Sequence, residues 1–345
     1  MTDLNNSDEI KKIDPKNVFG STEMLADQCE QVWEDAKKVN FSKDLNIKNI
    51  VFSGMGGSSY GAHVIKSLFS DTLKVPVYVV NDYHLPAFSD SSTLVFLTSY
   101  SGTTEETLSC AKEALKKGCK IAGLTSGGDL GEILKKNNRP RFIFESKHNP
   151  SGQPRLGTGY IVLGTIAMFN KLGLLEISDD EIKNAVSQLR SEMENIKPEA
   201  QKLAVRLQNK IPFIISAEFL EGNSHIIRNQ LNETAKSFSD FEALPELNHH
   251  LMEGLKYPTK DITMLFINSP LFSGKLQKRA ELTKDVVQKN GLTVREYTAK
   301  GNGKIAQVLN VLSFGGFLSL YLALLYNEDP SLIPWVDYFK EQLKK

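Results

Sequence analysis

The chain has 345 residues, of which 41% are hydrophobic and 24% are charged. This length suits two domains, and the composition is that of an ordinary globular protein. Lys plus Arg and Asp plus Glu each number 41, so that the formal net charge is zero. A neutral chain without basic runs is not expected to bind nucleic acid as its main partner, because phosphate backbones are bound by clustered cations.

Three features of the sequence indicate the cellular compartment in which the protein is expected. Cys29, Cys110 and Cys119 have no metal-ligand spacing and are expected to be reduced thiols. The N-terminus "MTDLNNSDEIKKID" is polar and has no apolar core of a signal peptide. The uncharged run from Val308 to Tyr326 is long enough to span a membrane, but a central Gly315–Gly316 pair and several polar residues interrupt it. We expect a buried core helix there, no membrane partner, and a cytoplasmic protein.

Short apolar runs alternate with helix-like segments in the first half of the chain. The runs are "NIVFSGMGG" from residue 49, "VPVYVVND" from 75, "STLVFLTSYSG" from 92, "CKIAGLTSGG" from 119 and "RFIFES" from 141. Continuous Val, Ile and Phe predict strands buried on both faces, and the intervening helices predict a parallel sheet. In such a doubly wound α/β sheet, ligands bind outside the carboxyl ends of the strands.

A second set of apolar runs follows, and it predicts a second α/β lobe. The runs are "IPFIISAEF" from residue 211, "DITMLFINSP" from 261 and "LTVREYTA" from 292. The Gly- and Pro-rich segment "NPSGQPRLGTGY" separates the two sets. It divides the chain into lobes 1–155 and 156–345. We also expect a long helix from Asp179 to Gln208, with Pro198 as a kink or break.

The glycine-rich turn "SGMGGSSYG", residues 53 to 61, comes directly after the first predicted strand and opens a helix. Such a turn exposes backbone N–H groups to an anion at a helix N-terminus. A Walker loop would need a lysine that this segment lacks. A dinucleotide fingerprint would need glycine where Ser59 stands, although Asp82 lies where a ribose-binding acid is expected. The segment is equally compatible with a tight strand–helix turn that binds no ligand.

The segment "SYSGTTEET", residues 99 to 107, follows the third predicted strand. It places four hydroxyls at the start of a helix, those of Ser99, Ser101, Thr103 and Thr104. Hydroxyls and free backbone N–H groups at a helix start form a neutral cradle for a phosphate dianion. The alternative is a capping box formed by Thr103 or Thr104 with Glu106, which would use only one hydroxyl. The sequence favours phosphate binding.

Five motifs follow one another in a fixed order: "SGMGGSS", "VVNDYHLP", "SYSGTTEET", "NPSGQPR" and "ALPELNHH". From about residue 20 to the C-terminus, the chain resembles the bifunctional phosphoglucose/phosphomannose isomerases of the sugar isomerase (SIS) superfamily. The pair "LNETAK" and "PELNHH" is the most specific part of this resemblance. The resemblance implies two SIS-type lobes, a homodimer, and conversion of glucose 6-phosphate or mannose 6-phosphate to fructose 6-phosphate without a metal or other cofactor.

Aldose–ketose isomerisation through a cis-enediol needs a carboxylate base, a ring-opening acid–base and a cation near the enediolate. The resemblance assigns the base to Glu233 and the cation to Arg155. The residue pattern places Glu233 near an apolar helix stripe, where desolvation would raise its pKa. The residues alone leave open an exposed carboxylate paired with Lys236.

The resemblance further assigns ring opening to His249, acting in the active site of the partner subunit, with Lys340 assisting. His250 is adjacent, so either histidine is a candidate, and Glu246 could orient the ring. The resemblance assigns the phosphate contacts to the side chains of Ser58, Ser99, Ser101 and Thr104 and the backbone N–H groups of Gly56 and Gly57.

Three other functions compete with this interpretation. A non-catalytic SIS sugar-phosphate sensor should lack the carboxylate–histidine pair and usually has a DNA-binding segment, whereas this chain shows no basic helix-turn-helix. An aminosugar isomerase would share the cradle but not "LNETAK" and "PELNHH". A nucleotide-dependent oxidoreductase ranks last, because it has no need for a second phosphate cradle.

Overall fold

The computed structural model describes residue 4 and residues 6–39, 46–257 and 261–343. Its first sheet has five parallel strands in the order β2-β1-β3-β4-β5, formed by β1 (Asn49–Ser53), β2 (Val77–Val80), β3 (Thr93–Ser99), β4 (Lys120–Thr125) and β5 (Arg141–Ile143). Every residue of the central strand β3 is buried. The strand order reverses between β1 and β3, so the segments that follow these two strands meet at one edge of the sheet.

Helices cover this sheet, as the predicted doubly wound fold requires. The helices of this part of the chain are α1 (Ser7–Ile13), α2 (Val18–Glu23), α3 (Leu25–Lys37), α4 (Tyr60–Leu68), α5 (Glu105–Lys116), α6 (Gly128–Lys136) and α7 (Thr158–Lys171). Helix α7 packs against α3 and α4. Residues 158–169 are all buried, and a helix that is buried on every side is expected to be apolar all round, as this one mostly is.

The second lobe contains a four-stranded parallel sheet in the order β7-β6-β8-β9. Its elements are α8 (Asp179–Leu207), β6 (Ile211–Ala217), α9 (Glu221–Glu233), β7 (Asp240–Leu244), α10 (Leu251–Gly254), β8 (Ile262–Asn268), α11 (Gly274–Lys289), β9 (Thr293–Thr298), α12 (Lys304–Leu325) and α13 (Pro334–Gln342). The three predicted strands of this half are confirmed, and so is the two-lobed α/β fold. Strand β7 was not predicted, because "DFEAL" is a half-buried edge strand without a continuous apolar run.

Two long helices form the centre of the second lobe. Helix α12 packs against α8 and α9. Among the described residues it is the one helix long and apolar enough to cross a membrane, and its apolar window is fully buried within the protein. The predicted core helix is therefore confirmed. Helix α8 contains Pro198 in its interior, and the proline does not end it.

Candidate active site

The segment after β3 forms a cup lined with hydroxyls. Ser99 is fully buried, and its Oγ lies 2.8 Å from the Thr104 Oγ1. The backbone N–H of Gly102 donates to the Ser99 Oγ at 3.0 Å. Thr104 occupies the N-cap position of α5, but its side chain makes no capping hydrogen bond. The alternative of a capping box is therefore wrong, and the first N–H groups of α5 keep their capacity to bind an anion.

The exposed rim of this cup is formed by Ser101 and Thr103. Their hydroxyl oxygens lie 2.9 Å apart, and the Thr103 N–H donates to the Ser101 Oγ at 3.3 Å. Between them, Gly102 has a φ of +75°, and a Cβ on it would lie 1.9 Å from the Gly127 carbonyl oxygen. Only glycine fits there, since the backbone is left-handed and the neighbouring loop leaves no space.

The glycine-rich turn after β1 contacts the cup directly. It forms a short 3₁₀ helix, Gly56–Ser59, in which Ser58 is buried. The Tyr100 N–H donates to the Ser58 Oγ at 2.9 Å, and the Thr98 Oγ1 donates to the Ser58 carbonyl at 2.7 Å. The Ser58 hydroxyl acts here as an acceptor, so its own proton is free for an oxyanion. The two predicted phosphate-binding segments thus form one site.

Arg155 lies on the other side of the glycine-rich turn. A Cβ on Gly57 would lie 3.1 Å from the Arg155 Cα, so this glycine permits the close approach of the two backbones. The Arg155 side chain is buried, and its Nη2 donates to the carbonyls of Pro330 at 2.6 Å and Ser331 at 3.1 Å. Its Nη1 donates to the Gln153 Oε1 at 3.2 Å. One Nη1 hydrogen is left without a partner in the described chain, since a guanidinium has five N–H donors.

Glu233 is the last residue of α9, and Thr234 links it to Arg155. The Arg155 Nε donates to the Thr234 Oγ1 at 3.5 Å. Burial raises the pKa of the Glu233 carboxyl above its usual range, while the charges of Arg155 and Lys340 act in the opposite direction. The raised pKa is that of a carboxylate suited to accept a proton from carbon.

The alternative pairing of Glu233 with Lys236 does not occur. The Lys236 Nζ donates instead to the carbonyls of Thr234 at 3.1 Å and Asp329 at 2.5 Å. The sequence suggested Lys236 only as a possible partner of Glu233 and gave no sign of its bond to Asp329. No local pattern encodes that bond, because Asp329 lies 93 residues further along the chain.

His249 is not bonded to this cluster within the described part of the chain. It ends a short 3₁₀ helix, Glu246–His249, and both His249 and His250 are exposed. In the described part of the chain, neither histidine has a hydrogen bond or ion pair with Glu233 or Arg155. Glu246 forms no ion pair with His249 there either.

Lys340 lies on the exposed helix α13, and its charge acts on the Glu233 carboxyl. The structure therefore brings together most of the candidate site residues: Gly56, Gly57, Ser58, Ser99, Ser101, Thr104, Arg155 and Glu233, with Lys340 nearby. The individual roles of these residues stay predictions. No group of three or more His, Cys, Asp or Glu in the described ranges is arranged to hold a metal ion.

Comparisons with known proteins agree with this arrangement. Residues 45–131 match the SIS domain, and residues 196–343 match the bacterial phospho-glucose isomerase C-terminal SIS domain. A bifunctional phosphoglucose/phosphomannose isomerase of Caldicellulosiruptor bescii is 35% identical over 94% of this chain and 98% of its own length. The Aquifex aeolicus protein of the same name is 33% identical over 96% of this chain and 99% of its own length.

Similarity to solved structures supports the fold. A hypothetical protein from Thermus thermophilus superposes with a TM-score of 0.75 at 15% identity, covering 98% of this chain and 93% of that one. This likeness shows the two-lobed SIS architecture. The full-length sequence matches are closer, and they decide the family: the chain belongs to the bifunctional phosphoglucose/phosphomannose isomerases.

Proposed function

We propose that this protein interconverts glucose 6-phosphate and mannose 6-phosphate with fructose 6-phosphate. The observation that supports this most strongly is the partly buried Glu233 carboxyl with a raised pKa. Hydrogen bonds and close backbone contacts connect its helix end, through Arg155 and Gly57, to the hydroxyl-lined cup. A hexose phosphate has an anion at one end and a carbonyl at the other, and this arrangement offers a matching group to each.

The phosphate would bind in the cup after β3. The hydroxyls of Ser58, Ser99, Ser101 and Thr104 would donate to its oxygens, together with the N–H groups of Gly56 and Gly57 and the start of α5. These groups are neutral, so they hold a dianion through hydrogen bonds and the helix dipole without a paired cation.

Glu233 would then transfer a proton between C1 and C2 of the open-chain sugar. Removing the proton from one carbon leaves a cis-enediolate, and returning it to the other carbon completes the isomerisation. Because the proton can be delivered to either face of C2, both aldose epimers are accessible through one intermediate. Arg155 would stabilise the enediolate oxygen with its remaining Nη1 hydrogen.

Ring opening would require a second subunit. We propose a cytoplasmic homodimer in which His249 of the partner subunit acts on the ring oxygen, with Lys340 assisting. Two observations support this assembly. His249 is exposed and unpaired in the described chain, and α13 exposes large apolar side chains that a partner would cover, namely Trp335, Val336, Tyr338 and Phe339. Large exposed apolar patches commonly mark interfaces.

The proposal is tested by measuring fructose 6-phosphate formation from each aldose in a coupled assay with a chelator present. The wild-type protein should convert both substrates. The Glu233→Gln variant should lose about 100-fold or more of kcat, as expected for removal of a general base, while keeping its affinity for sugar phosphate. Glu221→Gln, an exposed carboxylate at the other end of α9, is the control and should retain activity.

Two results would contradict the proposal. Conversion of neither aldose by the wild-type protein would favour a sugar-phosphate sensor or an aminosugar isomerase. Wild-type turnover in Glu233→Gln would remove the assignment of the base while leaving the phosphate cup intact.

A further inference from the structure

We propose that Lys236 is a positioning residue of this site, which together with Arg155 fixes the turn 329–331 and thereby places α13 and Lys340 near Glu233. This inference rests on the proposed isomerase function for its kinetic consequences. Its structural consequence, the fixation of the turn and of α13, does not depend on that function.

Two cations from different parts of the chain hold the turn. The Lys236 Nζ donates to the Asp329 carbonyl at 2.5 Å. The Arg155 Nη2 donates to the next two carbonyls, those of Pro330 at 2.6 Å and Ser331 at 3.1 Å. Three consecutive carbonyls thus accept hydrogen bonds from two charged donors, and charge-assisted hydrogen bonds are stronger than neutral ones.

The turn is shaped so that its carbonyls are available. Both the backbone N–H and the Oγ of Ser331 donate to the Asp329 Oδ1, at 2.8 and 2.7 Å. These two bonds close the turn internally, and Ser331 is buried. The carbonyls are left to outside donors, and Lys236 and Arg155 supply them.

The backbone of Lys236 also needs an explanation. Its φ of +53° lies in the left-handed region, which glycine adopts freely and lysine does not. At this position the backbone alone would favour glycine, so the lysine side chain must contribute something that glycine lacks. Its two hydrogen bonds, to Thr234 beside the catalytic base and to Asp329 in the turn, are that contribution.

Helix α13 depends on this attachment. It begins at Pro334, three residues after the turn, and none of its residues is buried. Within one subunit, a helix without a buried face is positioned only weakly by packing. Within that subunit its placement therefore follows from the segment that precedes it, and Lys340 on this helix contributes a charge that acts on Glu233.

The charge of Lys236 is itself sensitive to pH. Although Lys236 as a whole residue is exposed, desolvation around its ammonium lowers its pKa to about 8. The Arg155 charge acts in the same direction, while Glu328 and Asp329 oppose them. A pKa lowered in this way means that the ammonium loses its proton as the pH rises through about 8. The hydrogen bond from Lys236 to the Asp329 carbonyl should then weaken, and kcat should fall as the pH rises through this range.

The test compares Lys236→Gly, Lys236→Arg and Asn327→Gly with the wild-type full-length protein. Lys236→Gly keeps a backbone suited to positive φ and removes the amine, whereas Lys236→Arg keeps a cation. Asn327 also has a positive φ, +57°, is exposed and lies close to the turn, so Asn327→Gly is the matched control. Two readouts are measured: steady-state kinetics across pH, and amide hydrogen exchange of residues 331–343.

Lys236→Gly should lower kcat by about tenfold or more with KM within about threefold, since small misplacements of catalytic groups reduce turnover strongly. Its exchange over residues 331–343 should be faster, and the alkaline decline of kcat expected for the wild type should disappear. Lys236→Arg should restore most of kcat and slow exchange, and Asn327→Gly should change neither readout.

Wild-type kcat or unchanged exchange in Lys236→Gly would overturn the inference. The exchange readout needs no turnover. If the wild-type protein proved inactive on both aldoses, the proposed function would fail while exchange still decided whether Lys236 fixes the turn.

Discussion

The ionisation of Glu233 is set by opposing influences on one carboxyl group. Burial raises its pKa, and the charges of Arg155 and Lys340 lower it. Arg155 is held by four hydrogen bonds, to Pro330, Ser331, Gln153 and Thr234, so its charge is fixed in place. Lys340 is exposed on α13, and its contribution can be removed with little effect on the fold.

Lys340→Gln should therefore move the acidic limb of the kcat/KM profile to higher pH. The physical reason is that Glu233 loses a charge that stabilises its ionised form, so its pKa rises further. The profile is measured with fructose 6-phosphate formation between pH 4.5 and 8. Lys275→Gln, on the exposed surface of α11, is the control and should leave the limb unchanged. An unmoved limb in Lys340→Gln would mean that Lys340 does not act on the base.

At the scale of elements, the proposed phosphate site in the cup depends on the shape of its loop as much as on its hydroxyls. Gly102 allows the chain to turn under Ser99 and Thr104, and its left-handed backbone brings it against Gly127. Gly118 has a similar φ of +69°, but a Cβ there would have nothing within 4 Å. A side chain at Gly118 would cost only the unfavourable backbone conformation, whereas a side chain at Gly102 would also clash with its neighbours.

Gly118→Ala should lower the free energy of unfolding by only about 1 kcal/mol, the cost of a left-handed alanine. Gly102→Ala should cost more than that, because the added Cβ must displace the 127–128 loop, and it should also raise KM for sugar phosphate. Urea unfolding and steady-state kinetics measure both effects. Equal destabilisation by the two variants, with KM unchanged, would show that the cup tolerates a displaced loop.

The buried strands and the hydroxyl-lined cup could be predicted from local sequence, whereas strand β7 and the Lys236–Asp329 bond could not. The buried strands and the segment 99–104 are local patterns, in which apolar runs end in hydroxyls and glycines. Strand β7 was missed because three of its five residues are only half-buried and Asp240 and Glu242 interrupt its apolar residues. The Lys236–Asp329 bond joins residues 93 positions apart, and no local pattern encodes it. The boundary near residue 155 stays a prediction.

Across the whole molecule, the two lobes repeat one plan with different chemistry. In each lobe a central strand, β1 or β6, leads through a 3₁₀ turn into a helix, α4 or α9. At the position of the glycine-rich turn of the first lobe, the second lobe has Glu218. The Glu218 Oε1 accepts a hydrogen bond of 3.3 Å from the N–H of Ser273, at the start of α11. A carboxylate at this place repels phosphate, so we expect no second phosphate site at this turn.

The lobes meet where α4 packs against α9. His63 and His225 stack across this contact with ring centroids 3.7 Å apart, and Lys66 and Arg228 are the charged groups that face them. Burial lowers the pKa of His63 to about 4 and that of His225 to about 3. Both imidazoles are therefore neutral in the folded protein at neutral pH.

This stack makes the contact between the lobes sensitive to acid. In the unfolded chain each histidine binds a proton near its ordinary pKa of 6.5, so the unfolded state binds more protons below that pH. The free energy of unfolding should be highest above pH 6.5 and should fall as the pH drops towards 4, by up to about 1.4 kcal/mol for each unit of pKa difference. His63→Gln should make this decline shallower in urea unfolding at pH 8.0, 6.0 and 5.0. His250→Gln, at an exposed histidine with no ion pair in the described chain, should leave it unchanged. An equally steep decline in His63→Gln would assign the acid sensitivity to carboxylates elsewhere in the chain.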